Sequence, residues 1–125
     1  MLLKKTFFND SSFEKVSVDL GAVCRTVTEG PNRGSCFRGI GEALIRASGY
    51  DPLRMAEGCD SAAADLKDSV MCRAGAAYYH RVLYHDKANQ ERALESCNGL
   101  SENLKEVCRS YGRSDLSEQA LFNLI

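Results

Sequence analysis

The sequence predicts an all-α domain of about three helical hairpins, each closed by a disulfide. Three observations lead to this prediction: cysteines recur in short pairs, apolar residues recur at helical spacing, and turn and capping residues separate the apolar segments. The chain has 125 residues, of which 44% are hydrophobic and 26% charged. This size and composition are typical of one globular domain, so we expect residues 1–125 to form a single unit, either a short solenoid or a compact bundle.

The cysteines follow a regular spacing. The second members of the three short pairs are Cys36, Cys72 and Cys108, a period of 36 residues, and their partners precede them by 12, 13 and 11 residues. Residues 66–73 (LKDSVMCR) and 104–109 (LKEVCR) are also alike around their cysteines. A fixed period of this size is typical of repeat architectures, so we expect hairpin repeats over about residues 23–112.

The first helix is predicted over about residues 11–29. Phe13, Val16 and Leu20 lie on one stripe at helical spacing. Ser11 and a glutamate three residues later have the spacing of a capping box.

Turn signals separate the helices that follow. Glycine, proline or asparagine occurs in residues 30–34, 49–52 and 98–99, and each of these segments is expected to end one helix or begin the next. A C-terminal capping helix is predicted over about residues 114–125. Its last five residues, 121–125, are strongly apolar and either cover the last hairpin or contact another subunit.

The helix positions predict how the cysteines pair. Each short pair places one cysteine at the end of a helix and the other in an early turn of the next helix, a spacing that a disulfide can bridge. Six cysteines allow fifteen connectivities, of which this geometry favours local pairing. The predicted disulfides are Cys24–Cys36, Cys59–Cys72 and Cys97–Cys108.

Two glycines follow cysteines at the same distance. Gly39 and Gly75 each stand three residues after the second cysteine of a pair. Because glycine has no side chain, we expect both positions to let a neighbouring helix approach closely.

The disulfides favour an oxidising compartment, because such bonds are rare in the cytosol. Residues 1–8 lack the apolar core and cleavage site of a signal peptide. We therefore expect a mature extracellular or periplasmic form from which a signal peptide has been removed.

A family resemblance is carried by the middle of the chain. Cys72-x-x-Gly75-x-x-Tyr78, followed by residues 86–88 (DKA), Ala93 and a further cysteine at position 97, resembles the cysteine-rich relatives of Sel1-like and tetratricopeptide repeats. The resemblance covers roughly residues 23–112. It implies a solenoid of disulfide-stapled α-hairpins, secreted by some bacteria, that acts chiefly in protein or peptide binding.

The densest aromatic segment is the candidate binding surface. Tyr78, Arg81, Tyr84 and His85 are residue types that favour protein interfaces. The alternative interpretation is packing, since Tyr79 and His80 occupy the positions that Ala43 and Leu44 hold in the preceding repeat.

Other site chemistries find little support in the sequence. The cysteines lie at least eleven positions apart and form no Cys-x-x-Cys motif, so we expect no zinc, haem or thiol redox site, and no cofactor. A formal net charge of −1 gives no surplus of basic residues for nucleic acid. No apolar stretch approaches the length of a membrane span. No catalytic constellation is recognised.

The sequence therefore favours a secreted or periplasmic, non-enzymatic module that binds a protein, self-associates, or forms a subunit of an extracellular assembly. Two alternatives stay open. One is a hydrolase acting on a small or peptidoglycan-like substrate with His80 or His85 as the base. The other is a carrier of a lipid or small ligand.

Overall fold

The structure, a computed structural model, describes residues 10–125, so the predictions for residues 1–8 lie outside the described part of the chain. Residues 10–125 contain seven α helices and one short 3-10 helix, with no strand. The prediction of an all-α fold is confirmed. The helices are α1 Asp10–Cys24, α2 Pro31–Ala47, α3 Pro52–Ala62, α4 Leu66–Leu83, α5 Lys87–Ala93, the 3-10 helix Leu94–Cys97, α6 Glu102–Gly112 and α7 Glu118–Leu124.

Short polar side chains begin four of these helices. The carboxylate of Asp51 accepts hydrogen bonds from the backbone N–H groups of the first turn of α3, and Asp65 and Asp86 do the same for α4 and α5. The Ser117 hydroxyl accepts one from Ala120 at the start of α7. Each cap satisfies a backbone donor that has no partner inside its helix.

Two predicted helix boundaries were wrong. The first helix was expected over residues 11–29 but ends at Cys24, because the N–H groups of Thr26 and Val27 turn back to carbonyls three residues earlier. The last helix was expected to begin at Ser114. That residue has a left-handed φ of 68°, which a right-handed helix cannot contain, and α7 begins at Glu118.

Helix α4 is the centre of the bundle. It packs against α2, α3, α5, the 3-10 helix and α6, whereas α1 packs mainly on α3 and α7 lies across α2 and α6. Residues 70–77 of α4 are buried all round the helix. The arrangement is a compact bundle, one of the two forms that the sequence predicted.

The closest approach in the bundle is between α2 and α4. A Cβ atom on Gly41 would overlap the carbonyl oxygen of Cys72 and lie 2.8 Å from the backbone nitrogen of Ala76. A Cβ atom on Gly75 would overlap the carbonyl oxygen of Arg38. The prediction of close approach therefore holds for Gly75 but was wrong for Gly39, which faces open space.

The three disulfides join the pairs predicted from the sequence: Cys24–Cys36, Cys59–Cys72 and Cys97–Cys108. Their Cα atoms lie 5.6, 5.7 and 5.8 Å apart, which is the usual separation for a disulfide. Each bond links the end of one helix to the second turn of the next. The bonds therefore fix α1 to α2, α3 to α4, and the 3-10 helix to α6.

Apolar side chains from α2, α3, α4 and α7 fill the space between the helices. The largest wholly buried ones are Phe37, Leu44, Ile45, Met55, Met71, Leu121 and Val70. Within residues 10–125, no helix combines the length and apolar character that crossing a membrane would need.

The α2–α4 contact can be tested with two glycines of the same helix. Gly41→Ala is expected to lower the free energy of unfolding by about 1–3 kcal/mol, because the methyl group forces two backbones apart. Gly39→Ala is the control and is expected to raise it by about 0.5–1 kcal/mol, since alanine favours helix over glycine. Urea unfolding measures both values, and equal effects at the two positions would contradict the close contact.

The central disulfide can be tested by removing it. Cys59→Ala/Cys72→Ala is expected to lower the free energy of unfolding by about 3 kcal/mol, because the bond closes a loop of 13 residues in the unfolded chain. Non-reducing peptide mapping of the wild-type protein is the companion measurement. It is expected to yield three local cross-linked peptides, and any other connectivity would contradict the structure.

Candidate functional site

The four residues of the predicted binding surface lie at the C-terminal end of α4, but they do not form one open patch. Tyr78 is half-buried, with its ring centroid 5.6 Å from that of Tyr111. Tyr84 is also half-buried and meets the ring of Tyr50 edge-on at 5.4 Å. Arg81 is partly exposed and His85 is exposed. The two tyrosine rings are thus used in part by internal packing.

His80, which lies within this segment between Tyr78 and Arg81, is wholly buried. Its ring centroid lies 5.3 Å from that of Tyr50 and 5.5 Å from that of Tyr84. Neither ring nitrogen has a hydrogen-bond partner among the described residues. Burial lowers the pKa of His80, and the nearby positive charge of Arg92 lowers it further. His80 is therefore held as a neutral imidazole inside an aromatic cluster.

The burial of His80 weighs against a hydrolase in which His80 is the base. A general base must come within hydrogen-bond distance of the proton that it removes, and the ring of His80 is closed off from solvent. The other histidine, His85, is exposed. Among residues 10–125, no group of three or more histidine, cysteine, aspartate or glutamate side chains is placed to hold a metal ion.

A second region lies at the other end of α4, where α2 and α4 both begin. Arg33 and Asp68 form a two-point ion pair there, with Nε–Oδ1 and Nη2–Oδ2 distances of 3.0 and 2.7 Å. Asp68 also accepts a hydrogen bond from the backbone N–H of Ala64 at 3.0 Å. The pair raises the pKa of the Arg33 guanidinium. Both side chains are largely buried. Each supplies the opposite charge that the other needs in order to be buried.

The ion pair forms the floor of a cleft of about 260 Å³, the Arg33 cleft. Phe122 of α7 forms one wall, and the ammonium group of Lys67 lies 3.8 Å from the centre of the phenylalanine ring. The lining is Glu29, Gly30, Arg33, Gly34, Asp65, Lys67, Asp68, Met71 and Phe122. The lining contains acidic, basic and apolar side chains together, so it favours no single charge.

An apolar groove lies beside the Arg33 cleft. It is a depression of about 340 Å³ between α4, α6 and the C-terminal residue. Leu66 is 59% exposed at its edge. The groove is lined by Asp65, Leu66, Lys67, Val70, Leu104 and Ile125. Apart from the charged residues Asp65 and Lys67, all the lining side chains are aliphatic.

The sequence contains one signal for this groove in addition to the cysteine spacing. Leu66 and Leu104 are the first residues of the two similar segments, residues 66–73 and 104–109. In the structure these leucines line the same groove. Ile125 could not be placed there from sequence, because its position depends on how α7 folds back.

No protein-family model matches this chain, and no curated protein or solved structure gives a significant match to it.

Proposed function

We propose that this chain is a non-enzymatic binding module of an oxidising compartment, extracellular or periplasmic, that binds a protein partner or another copy of itself. The compartment is inferred from the three disulfides, since an even set of paired cysteines is typical of such compartments. A role as a structural subunit of an extracellular assembly belongs to the same proposal.

The observation that carries the binding role is the apolar groove. An isolated exposed leucine needs no explanation, but aliphatic side chains from three segments that converge on one depression are typical of a contact surface. Leu124, which precedes the groove residue Ile125 in the chain, is 58% exposed. Asp65 and Lys67 supply a charged edge. An apolar centre with a polar edge is the usual anatomy of a protein interface.

The groove is also held in a fixed shape. Its α4 wall is tied to α3 through Cys72, and its α6 wall is tied to the 3-10 helix through Cys108. A surface that does not have to become ordered on binding loses less conformational entropy. The disulfides therefore support binding as well as folding.

The groove can be tested with two matched leucines. Leu66 and Leu53 are both exposed in the first turn of a helix that follows an aspartate cap, but only Leu66 borders the groove. The protein is expressed in the cells that naturally produce it, with a photo-crosslinking amino acid in place of Leu66. Irradiation is expected to give a discrete adduct. The same group at Leu53 is expected to give none.

The adduct identifies the occupant by mass spectrometry of the linked peptides. Leu66→Asp should abolish binding of that occupant while leaving the melting temperature unchanged, because the side chain is exposed. A second copy of the chain in the adduct assigns the groove to self-association. Equal labelling at Leu66 and Leu53, or none at either, would contradict the groove as the contact surface.

The aromatic surface at the other end of α4 gives a separate prediction. If Tyr78, Arg81 and Tyr84 carry the binding, replacing all three with alanine removes partner capture and leaves the melting temperature unchanged. Because both tyrosine rings pack internally, we expect instead a lower melting temperature, measured by circular dichroism. Retained stability with lost capture would move the contact surface to this end of α4.

The carrier hypothesis makes a different prediction. A lipid or small ligand held by the chain would appear in native mass spectrometry as a co-purified mass on the folded protein. The binding-module proposal expects the mass of the chain alone or of a protein complex.

A further inference from the structure

We propose that the C-terminal end of α4 holds an acid-sensitive switch, in which protonation of His80 separates the last turn of α4 from the turn between α2 and α3. The inference concerns the conformation of the chain and stands whether or not the apolar groove binds a partner.

The switch depends on where the imidazole lies. His80 is wholly buried between the rings of Tyr50 and Tyr84, and both of its nitrogens lack a hydrogen-bond partner among the described residues. A neutral ring is tolerated there as an aromatic packing element. The protonated ring carries a charge and two N–H donors, and burying such a group without a partner is strongly unfavourable.

The charged group that acts on His80 is itself positive, so it does not stabilise a protonated imidazole. Tyr50 comes from the turn after α2, Tyr84 directly follows α4, and Arg92 comes from α5. Tyr79 and Arg46 lie next to Tyr50, and the Arg46 guanidinium stacks 5.5 Å from the Tyr79 ring centre. The Tyr50 phenol is neutral in acid, and burial raises its pKa further. The positive charge of Arg92 disfavours a positive charge on His80.

The turn between α2 and α3 has a strained backbone at Tyr50, and opening would release this strain. Gly49 and Tyr50 have φ values of 76° and 62°, and the left-handed region is unfavourable for a bulky residue such as tyrosine. Hydrogen bonds from the N–H groups of Gly49 to Arg46 (3.0 Å) and of Tyr50 to Ile45 (2.8 Å) close the end of α2. The ring contacts with His80 and Tyr84 hold Tyr50 in place from the side-chain end. Loss of those contacts allows the strained backbone to relax.

The direction of the pH effect follows from linkage. Burial keeps the folded-state pKa of His80 below the value of about 6.5 that an exposed histidine has, so the opened state binds more protons than the closed one. The closed state is fully favoured above about pH 6.5. As the pH falls below that value, the equilibrium constant for opening rises toward tenfold for each pH unit.

The experiment uses the two histidines of the chain as test and control. His80→Phe keeps an aromatic ring in the cluster and removes the titrating group, whereas His85→Gln removes the exposed histidine five residues later. Amide hydrogen exchange is measured at pH 7 and pH 5 and corrected for the intrinsic exchange rate. The wild type and His85→Gln are expected to lose protection by tenfold or more in residues 79–84 and 49–51. His80→Phe is expected to show no such loss.

Three results would overturn the proposal. The first is an acid-induced loss that persists in His80→Phe. The second is a loss spread evenly over all the helices, which indicates global acid unfolding and no local switch. The third comes from the wild type alone, so it applies even if His80→Phe does not fold: an NMR titration in which the His80 ring protonates at or above pH 6.5 while residues 79–84 keep their protection.

Discussion

The close approach of α2 and α4 is the constraint on which the rest of the bundle depends. The backbones come so near that Gly41 and Gly75 leave no room for a side chain. The carbonyl that faces Gly41 belongs to Cys72, whose sulfur is bonded to Cys59 of α3. Three helices are therefore positioned by one residue. Because α4 also carries α5, the 3-10 helix and α6, a shift at this point would move most of the molecule.

The two ends of α4 differ in whether their buried polar side chains have partners. Near its start, Arg33 pairs with Asp68, and the buried Arg73 pairs with Asp60 at 2.9 Å and donates to the Asn98 carbonyl at 2.6 Å. Each of these charges has a partner of opposite sign, and the pairs hold the start of α4 against α2 and α3. Near its end, His80 has no such partner. The first half of the helix is thus tied by ion pairs, and the second half holds the group that we propose to respond to acid.

The sequence predicted the local features of the fold well. The disulfide pairs follow from cysteines at helix ends, because a short turn between antiparallel helices leaves few other partners within reach. His80 stands 36 positions after Leu44, the spacing of the cysteines, and this match indicated burial; both residues are wholly buried.

Features that join distant segments were predicted poorly. Gly39 and Gly41 are both glycines of α2, and only the rotation of α2 against α4 decides which one meets the backbone of Cys72. The ion pair of Arg33 with Asp68 spans 35 positions, and the contact of Lys67 with Phe122 depends on where α7 returns. Spacing along the chain carries no information about such rotations. The choice between surface and packing for the aromatic segment stayed open for the same reason, since it depends on which distant residues contact the rings.

The apolar groove and the aromatic cluster lie at opposite ends of α4, and each location suits the role that we propose for it. A contact surface gains from rigidity, and the groove lies where α4 is tied to α3 by a disulfide and to α2 by an ion pair. A switch needs two conformations of similar free energy, and the cluster lies where no disulfide reaches and a turn is strained. Opening at the aromatic end leaves the Cys59–Cys72 anchor in place. The chain can therefore respond to acid at one end of α4 while the groove at the other end keeps its shape.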